Sequence, residues 1–245
     1  MPRQAREFSE SGYMHLIARG IGRQALFEED EDYEFYLSIL RRFCRETGIA
    51  VCAYCLMENH VHLLVHDEKE QVPILMKKLG VSYSGYFNKK YERVGHLFQD
   101  RYLSEAIKDD AHLLTVVRYI LNNPLKAGIC AARDYPWSSY ALFASPSTFL
   151  DTRILQDLLG DGERYIAFIA ESNDDKCLDC DMVPRSDRWA RAVIQECLGF
   201  SSGTALQGMD RQQRNAALQQ LKQKGLSVRQ IERLTGISRN IVQRA

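Results

Sequence analysis

Two histidines in the run MENHVHLLVH, His60 and His62, are the first residues whose type and spacing could do chemistry. The run alternates as a strand does, which sends His60, His62, Leu64 and His66 to one face and Val61, Leu63 and Val65 to the other. Two imidazoles about 7 Å apart along one face of a strand can converge on a single metal ion. Histidine also fits a strand surface as an ordinary polar residue, and His66, near the end of the run, can simply face solvent. A second pair lies in VVRYILNNP, where Tyr119 and Asn123 are four apart on one helical face, so that a phenol and an amide oxygen could approach the same ion. Pro124 disfavours helical geometry at Asn123. The alternative reading is a packed tyrosine and a helix-capping asparagine.

The chain has 12 tyrosines, so any nucleophile has rivals, chief among them Tyr102 after the segment HLFQDR. Tyr83, Tyr86 and Tyr91 fall with Phe87 on a long helical pattern, and Lys89, Lys90, Arg93 and Arg101 cluster around it. Cations interleaved with aromatics suit single-stranded DNA, which offers phosphates and open base faces together. A solvated helix face with its aromatics turned inward would look the same.

The elements that must position these groups read as strand (SGYMHLIARG), helix (DEDYEFYLSILRRFCRETG), two strands (IAVCAYCLM and HVHLLVHD) joined by a short turn, and a long helix with an interruption around Gly80. A loop entering a strand (GHLFQDRYLSEAI) and a helix stopped by Pro124 complete the series. The order β-α-β-β-α-β-α predicts an α+β fold: a ferredoxin-like split βαβ sheet with one added helix that carries Tyr119. From about Ser145 the character changes, giving three expected regions: 1–145, an acidic connector 146–186 with some helix around 151–170, and a basic helical region 187–245. In the last, Ser227 and Ser238 can cap two short helices joined at Gly236, a helix-turn-helix pattern over about 226–245. Its second helix would turn Arg239, Asn240, Gln243 and Arg244 to a major groove, although a plain helical hairpin for protein contact fits the pattern too.

At 245 residues, 45% hydrophobic and 26% charged, the chain is an ordinary globular one, which excludes collagen, coiled coil and wholesale disorder. No run of 18 apolar residues or apolar leader is present, so the expectation is a soluble cytoplasmic protein with no membrane partner. Lys plus Arg equals Asp plus Glu at 32 each, but the balance is uneven: 18 basic against 19 acidic in the first region, 4 against 9 in the connector, 10 against 4 at the end. The seven cysteines do not suggest a disulfide framework. Cys52 and Cys55, three apart on a strand, should point to opposite faces as core residues. Cys177 and Cys180 could supply half a zinc site, but no second pair follows to complete it.

The segments MENHVHLLV, GYFNKKYERVGHLFQDRY, VVRYILNNPLKAG and YPWSSY together resemble the single-tyrosine HUH transposases, and within them the REP-associated tyrosine transposases, over roughly residues 5–143. The resemblance implies that His60 and His62 bind a metal and that Tyr119 is the nucleophile, with Asn123 standing where related insertion-sequence enzymes carry a metal-holding glutamine. It further implies Mg²⁺, and the nitrogen ligands suggest that Mn²⁺ serves at least as well. The implied substrate is a DNA hairpin with flanking single strand, cut with formation of a 5′-phosphotyrosine, by a monomer or homodimer. His96, Gln99 and Arg101 match the resembling segment as DNA contacts or structural support. Two other readings stay open on sequence: a non-catalytic hairpin-DNA-binding regulator, and a metal phosphodiesterase that uses water.

Overall fold

Alternation in the strands, interrupted once in the second, and 3.6-residue spacing in the helices generate a four-stranded antiparallel sheet covered on both faces. The computed structural model describes residues 9–143, 149–160, 162–171, 173, 175, 177–178, 187–199 and 203–244. They fall into two compact units, Met1–Asp181 and Met182–Ala245. In the first, β1 (Tyr13–Arg19), α1 (Asp30–Thr47), β2 (Ala50–Met57), β3 (His60–His66), α2 (Val72–Lys90), β4 (Leu103–Ala106) and α3 (Asp110–Leu121) follow one another, with spatial strand order β2-β3-β1-β4.

One sheet face, carrying Met14, Leu16, Val61, Leu63 and Val65, packs on α1 and α2. The other, carrying Leu64 and the imidazoles, packs beneath α3 through Leu113, Val116, Val117 and Ile120. Helix α2 runs unbroken through Gly80 and Gly85, where the sequence suggested an interruption. Its apolar stripe, Leu75, Leu79, Tyr83 and Phe87, continues past both glycines. Packing of that stripe outweighs the roughly 1 kcal/mol that each glycine costs a helix.

Cys52 and Cys55 lie on the same face, not on opposite ones. The β2–β3 register shifts between Val51 and Ala53, so Cys52 is the extra residue of a bulge, which resets the alternation before Cys55. Both thiols are buried, and burial pushes that of Cys52 up to about 12. The role expected for them, core packing, is what they have.

The segment YPWSSY runs along the outer edge of β2. Trp137 C=O accepts from Leu56 N–H (2.9 Å), Ser139 N–H donates to Tyr54 C=O (2.9 Å), and Tyr135 Oη donates to Leu56 C=O (2.7 Å). This covers an edge that would otherwise expose unpaired backbone groups.

After α3, α4 (Asn123–Lys126), α5 (Arg153–Leu159) and α6 (Gly162–Ala170) stay within the first unit, with Leu155, Tyr165 and Ile169 in the α3-side core. The second unit holds α7 (Asp187–Leu198), α8 (Arg211–Gln223), α9 (Val228–Thr235) and α10 (Arg239–Arg244) around Ile194, Leu218, Leu221, Ile231, Ile237 and Val242. Ser227 caps α9 by accepting from Gln230 N–H, and Gly236, at φ 70°, makes the left-handed turn into α10.

A buried carboxylate ties α1 to α2. Asp32, fully buried, accepts from Tyr86 Oη (3.0 Å), Tyr91 Oη (2.7 Å), Lys90 Nζ (2.8 Å) and the backbone N–H of Glu28 (2.9 Å) and Glu29 (3.1 Å). Burial pushes its acidity the other way, but these donors, Lys90 and Tyr91 foremost, hold the carboxyl below the usual range. Asp32→Ala should therefore cost about 3–5 kcal/mol in urea unfolding, because Lys90 and two phenols lose their acceptor. The stabilisation from this depressed carboxyl is full above the unfolded pKa of about 3.9 and lost as pH falls through the lower folded value. Acid unfolding of Asp32→Ala should accordingly be less steep than that of wild type, and an unchanged acid transition would count against this role.

Candidate active site

His60 and His62 sit on the α3-side face of β3, with ring centroids 4.9 Å apart. That is closer than the roughly 7 Å of backbone between them, so the rings lean together. Both are buried. Asn59 Oδ1 lies 2.7 Å from His60 Nδ1. His62 Nδ1 lies 3.0 Å from Nε2 of His15, a β1 residue on the same face. Burial, reinforced by the nearby His60 and His15 rings, keeps the His62 pKa well below the ordinary histidine range, so this ring is neutral at physiological pH.

Helix α3 lays Tyr119 over this pair. Its ring centroid is 5.8 Å from that of His62 and 6.3 Å from that of His15, edge to face in both cases. Lys126 of α4 places Nζ 4.2 Å from the centre of the Tyr119 ring. Pro124 does not end the helical path. The chain turns at Asn122 and resumes as α4 with the proline in its first turn, where a missing N–H is harmless. Asn123 thus stays one turn beyond Tyr119, and its Nδ2 donates to the Tyr119 carbonyl (3.2 Å). The amide oxygen is the end it can offer to an ion.

The rest of the sequence-derived set is dispersed. Tyr102 packs against the core beneath α1 and α2, across the sheet from the imidazoles. His66 stacks on Tyr13 (4.4 Å), four pairs along the strand from His62. Lys90 is held by Glu29, Glu31 and Asp32. Lys89 and Arg101 are exposed, and Arg93 reaches Gln24 Oε1 (2.5 Å) in the loop that follows β1. In the second unit Arg239, Asn240, Gln243 and Arg244 are all exposed, while Val242 between them is buried. Cys180 lies outside the described residues, and Cys177 packs against the α3-side core.

Three residues beside the site were not singled out by motif: His15, Glu105 and Lys126. The only advance signal for His15 was its alternation in MHLIAR, which has meaning once β1 is known to pair with β3.

The donor set suits a divalent ion. His62 Nε2 is buried with no hydrogen-bond partner among the described residues, a costly arrangement unless a ligand completes it. Among the described residues no group of three or more His, Cys, Asp or Glu side chains is placed to hold a metal. A set built on His60 and His62 therefore needs a donor of another kind, such as the Asn123 amide oxygen or a substrate phosphate.

The family model described as "Transposase IS200 like" matches residues 8–123, the span that holds the whole sheet, both imidazoles and Tyr119. Over that span, a little under half of its length, the chain is similar to the IS200-like transposases. A Haemophilus influenzae protein described as a REP-associated tyrosine transposase is 26% identical to this chain over 153 residues, 57% of this chain and 86% of that one. A solved structure of a REP-associated tyrosine transposase bound to a REP hairpin covers 76% of this chain and 100% of its own, with a TM-score of 0.56 at 14% identity, a likeness of fold. A transposase structure from Deinococcus radiodurans is 22% identical over 49% of this chain and 97% of its own, with a TM-score of 0.34 that carries no weight.

Two residues of the acidic stretch after α6, Asp175 and Leu178, touch the margins of the site. Asp175 takes two bonds from Arg118 (2.7 and 3.0 Å), its carbonyl accepts from Lys126 Nζ (3.0 Å), and Leu178 N–H donates to Glu105 (3.2 Å). The stretch therefore links α3, α4 and β4 next to Tyr119, which is itself buried. Asp175→Ala removes a bidentate charge-assisted contact worth about 1.5–3 kcal/mol, so exchange of the Leu178 amide should accelerate by at least about tenfold. Wild-type protection of that amide in the variant would show that the segment is held by something else. Among the described residues no helix is long and apolar enough to cross a membrane.

Proposed function

We propose that this protein is a transposase of the IS200-like kind, a metal-dependent single-stranded DNA endonuclease and strand-transferase that acts on hairpin DNA through a 5′-phosphotyrosine intermediate. The observation that carries the reading is the Tyr119 ring 5.8 Å from that of His62, with Lys126 Nζ 4.2 Å from the centre of the same ring. The tyrosine nucleophile and the imidazole pair that the family resemblance implies meet on one sheet face, which we read as a ferredoxin-like sheet. Hairpin DNA is proposed because the fold neighbour is described as bound to a REP hairpin.

His60 and His62, with Asn123, would hold Mg²⁺ or Mn²⁺. When bound, such an ion supplies positive charge that neutralises and orients the scissile phosphate. Tyr119 is the nucleophile: its Oη forms a bond to phosphorus as its proton goes to solvent, the bond to the 3′-oxygen breaks, and the leaving 3′-oxygen takes a proton from solvent to become a 3′-hydroxyl. The energy of the phosphodiester is kept in the phosphotyrosine, so another 3′-hydroxyl can reverse the step and rejoin strands. Free tyrosine, with a pKa of about 10, is a weak nucleophile at neutral pH, and the Lys126 ammonium favours negative charge on its oxygen. Helix α3 fixes the attack direction through its packing on the sheet.

Lys89, Arg93 and Arg101 are proposed DNA contacts of the first unit, and Arg93 is the one beside the loop that leads from β1. Lys90 would have to leave Asp32 to join them. In the second unit we read α9 and α10 as a helix-turn-helix for duplex DNA, with Arg239, Asn240, Gln243 and Arg244 facing the groove.

Labelled hairpin DNA with a flanking single strand, incubated with Mn²⁺, should give a covalent adduct on a denaturing gel. Tyr119→Phe should abolish the adduct, and His62→Ala should slow its formation by about 10²–10³-fold. Cleavage without adduct that persists in Tyr119→Phe would instead identify a water-using phosphodiesterase. Binding with no cleavage by wild type would identify a regulator. For the second unit, Arg239→Ala should weaken duplex binding at all sequences or at one base position, and Arg239→Ala with Arg244→Ala should lower the slope of log K against log salt by up to about 2. A slope that does not change would remove these arginines from the phosphate contacts.

A further inference from the structure

Three polar side chains on neighbouring strands form a row that ends at the buried nitrogen of His62. In the β1–β4 ladder His15 stands directly opposite Glu105, and in the β1–β3 ladder it is the diagonal neighbour of His62. Glu105 Oε2 is 3.6 Å from His15 Nδ1, an electrostatic contact longer than a hydrogen bond, and His15 Nε2 is hydrogen-bonded to His62 Nδ1 at 3.0 Å. Both imidazoles are fully buried. Glu105 is about one-third exposed, accepts from Leu178 N–H (3.2 Å) through the same Oε2, and has His112 Nε2 at 3.8 Å from Oε1.

We propose that Glu105 and His15 are positioning residues that fix the protonation pattern of His62, leaving its Nε2 with a lone pair aimed at a divalent cation. The inference rests on the metal-site reading above and goes further by assigning the residues that prepare the ligand. Two proton arrangements could join neutral His15 to neutral His62. In one, His15 Nδ1–H faces Glu105 and His62 Nδ1–H donates to His15 Nε2. In the other, His15 Nε2–H donates to His62 Nδ1, which puts a proton on His62 Nε2 and a lone pair of His15 against the carboxylate. An ionised carboxylate at this distance attracts a facing N–H and repels a facing lone pair, so it favours the first arrangement.

Asn59 does the same for the partner ligand. Its amide oxygen, 2.7 Å from His60 Nδ1, accepts that ring's N–H and puts the lone pair on Nε2. Two different acceptors thus present the same nitrogen from both rings. Outer groups of this kind fix the ring tautomer and raise ligand basicity, and their loss commonly costs about 10–100-fold in metal affinity.

The test uses the full-length, metal-free, ¹⁵N-labelled protein, with imidazole nitrogen NMR as its first readout and Mn²⁺ binding as its second. Wild type should show His62 and His15 each protonated at Nδ1 and bare at Nε2. His15→Leu should give a His62 signal with Nε2 protonated, wholly or in part, and Mn²⁺ affinity lower by about 10–100-fold. His15→Gln, whose amide oxygen can accept from His62 Nδ1–H, should restore most of the affinity, which a merely structural role would not predict. If His15→Leu does not fold, Glu105→Ala, at a partly exposed position, carries the same expectation. His62 protonated at Nε2 in wild type, or wild-type Mn²⁺ affinity in the folded His15→Leu or Glu105→Ala variants, would overturn the proposal. His62→Ala separates the two levels. If it leaves Mn²⁺ binding intact, the metal-site reading falls and this proposal with it. If it removes binding while His15→Leu does not weaken it, the relay alone is wrong.

Discussion

Pairing of Ile17 with His62 in the β1–β3 ladder decides which side of the sheet carries the imidazoles. A slip of one residue would turn His60 and His62 into the core under α1 and α2 and bring Val61, Leu63 and Val65 beneath α3. The register is held because both faces are buried and each rejects the other's residues. Leu16, Leu63 and Val65 fill one core, while Leu64 with Val116, Val117 and Ile120 fills the other. Every part of the site inherits this choice. His15 is brought diagonally next to His62, Glu105 comes opposite His15, and α3 packs where Tyr119 covers both rings.

The site spends stability on this arrangement. Several imidazole and amide groups lie in a nearly water-free layer where each unsatisfied nitrogen is expensive. The outer core compensates through apolar packing and through Asp32, whose backbone and side-chain donors clamp the start of α1 to the end of α2. The two cores differ in kind: the α1 and α2 side is apolar packing around one buried carboxylate, and the α3 side holds the imidazoles and Tyr119 of the candidate site. Lys90 belongs to the first of these, which is why a cation that looked suited to DNA is engaged with three carboxylates.

Much of this was legible in the sequence. Alternation and helical spacing located the strands and helices of the first unit, because each element buries a face of regular period. The HxH pair and Tyr119 stood out as residue types that a bland core does not need together. What stayed hidden depended on partners distant in sequence. His15 is a lone histidine until β1 is placed beside β3, and Glu105 is one acid among many until β4 is placed beside β1. The bulge at Cys52 reversed the expected facing of the two cysteines, since a single inserted residue leaves no mark on a local hydrophobic pattern. Pro124 was read as a stop, whereas the chain restarts its helix there and keeps Asn123 over Tyr119.

Anomalous diffraction from crystals of the full chain soaked in Mn²⁺ tests the central claim most directly, that the imidazole face and Tyr119 form one metal-dependent centre. The account predicts a peak between the Nε2 atoms of His60 and His62, on the side of the sheet that Tyr119 covers. A peak confined to the acidic stretch around Asp175 or to the cysteines, with none at the two imidazoles, would contradict it.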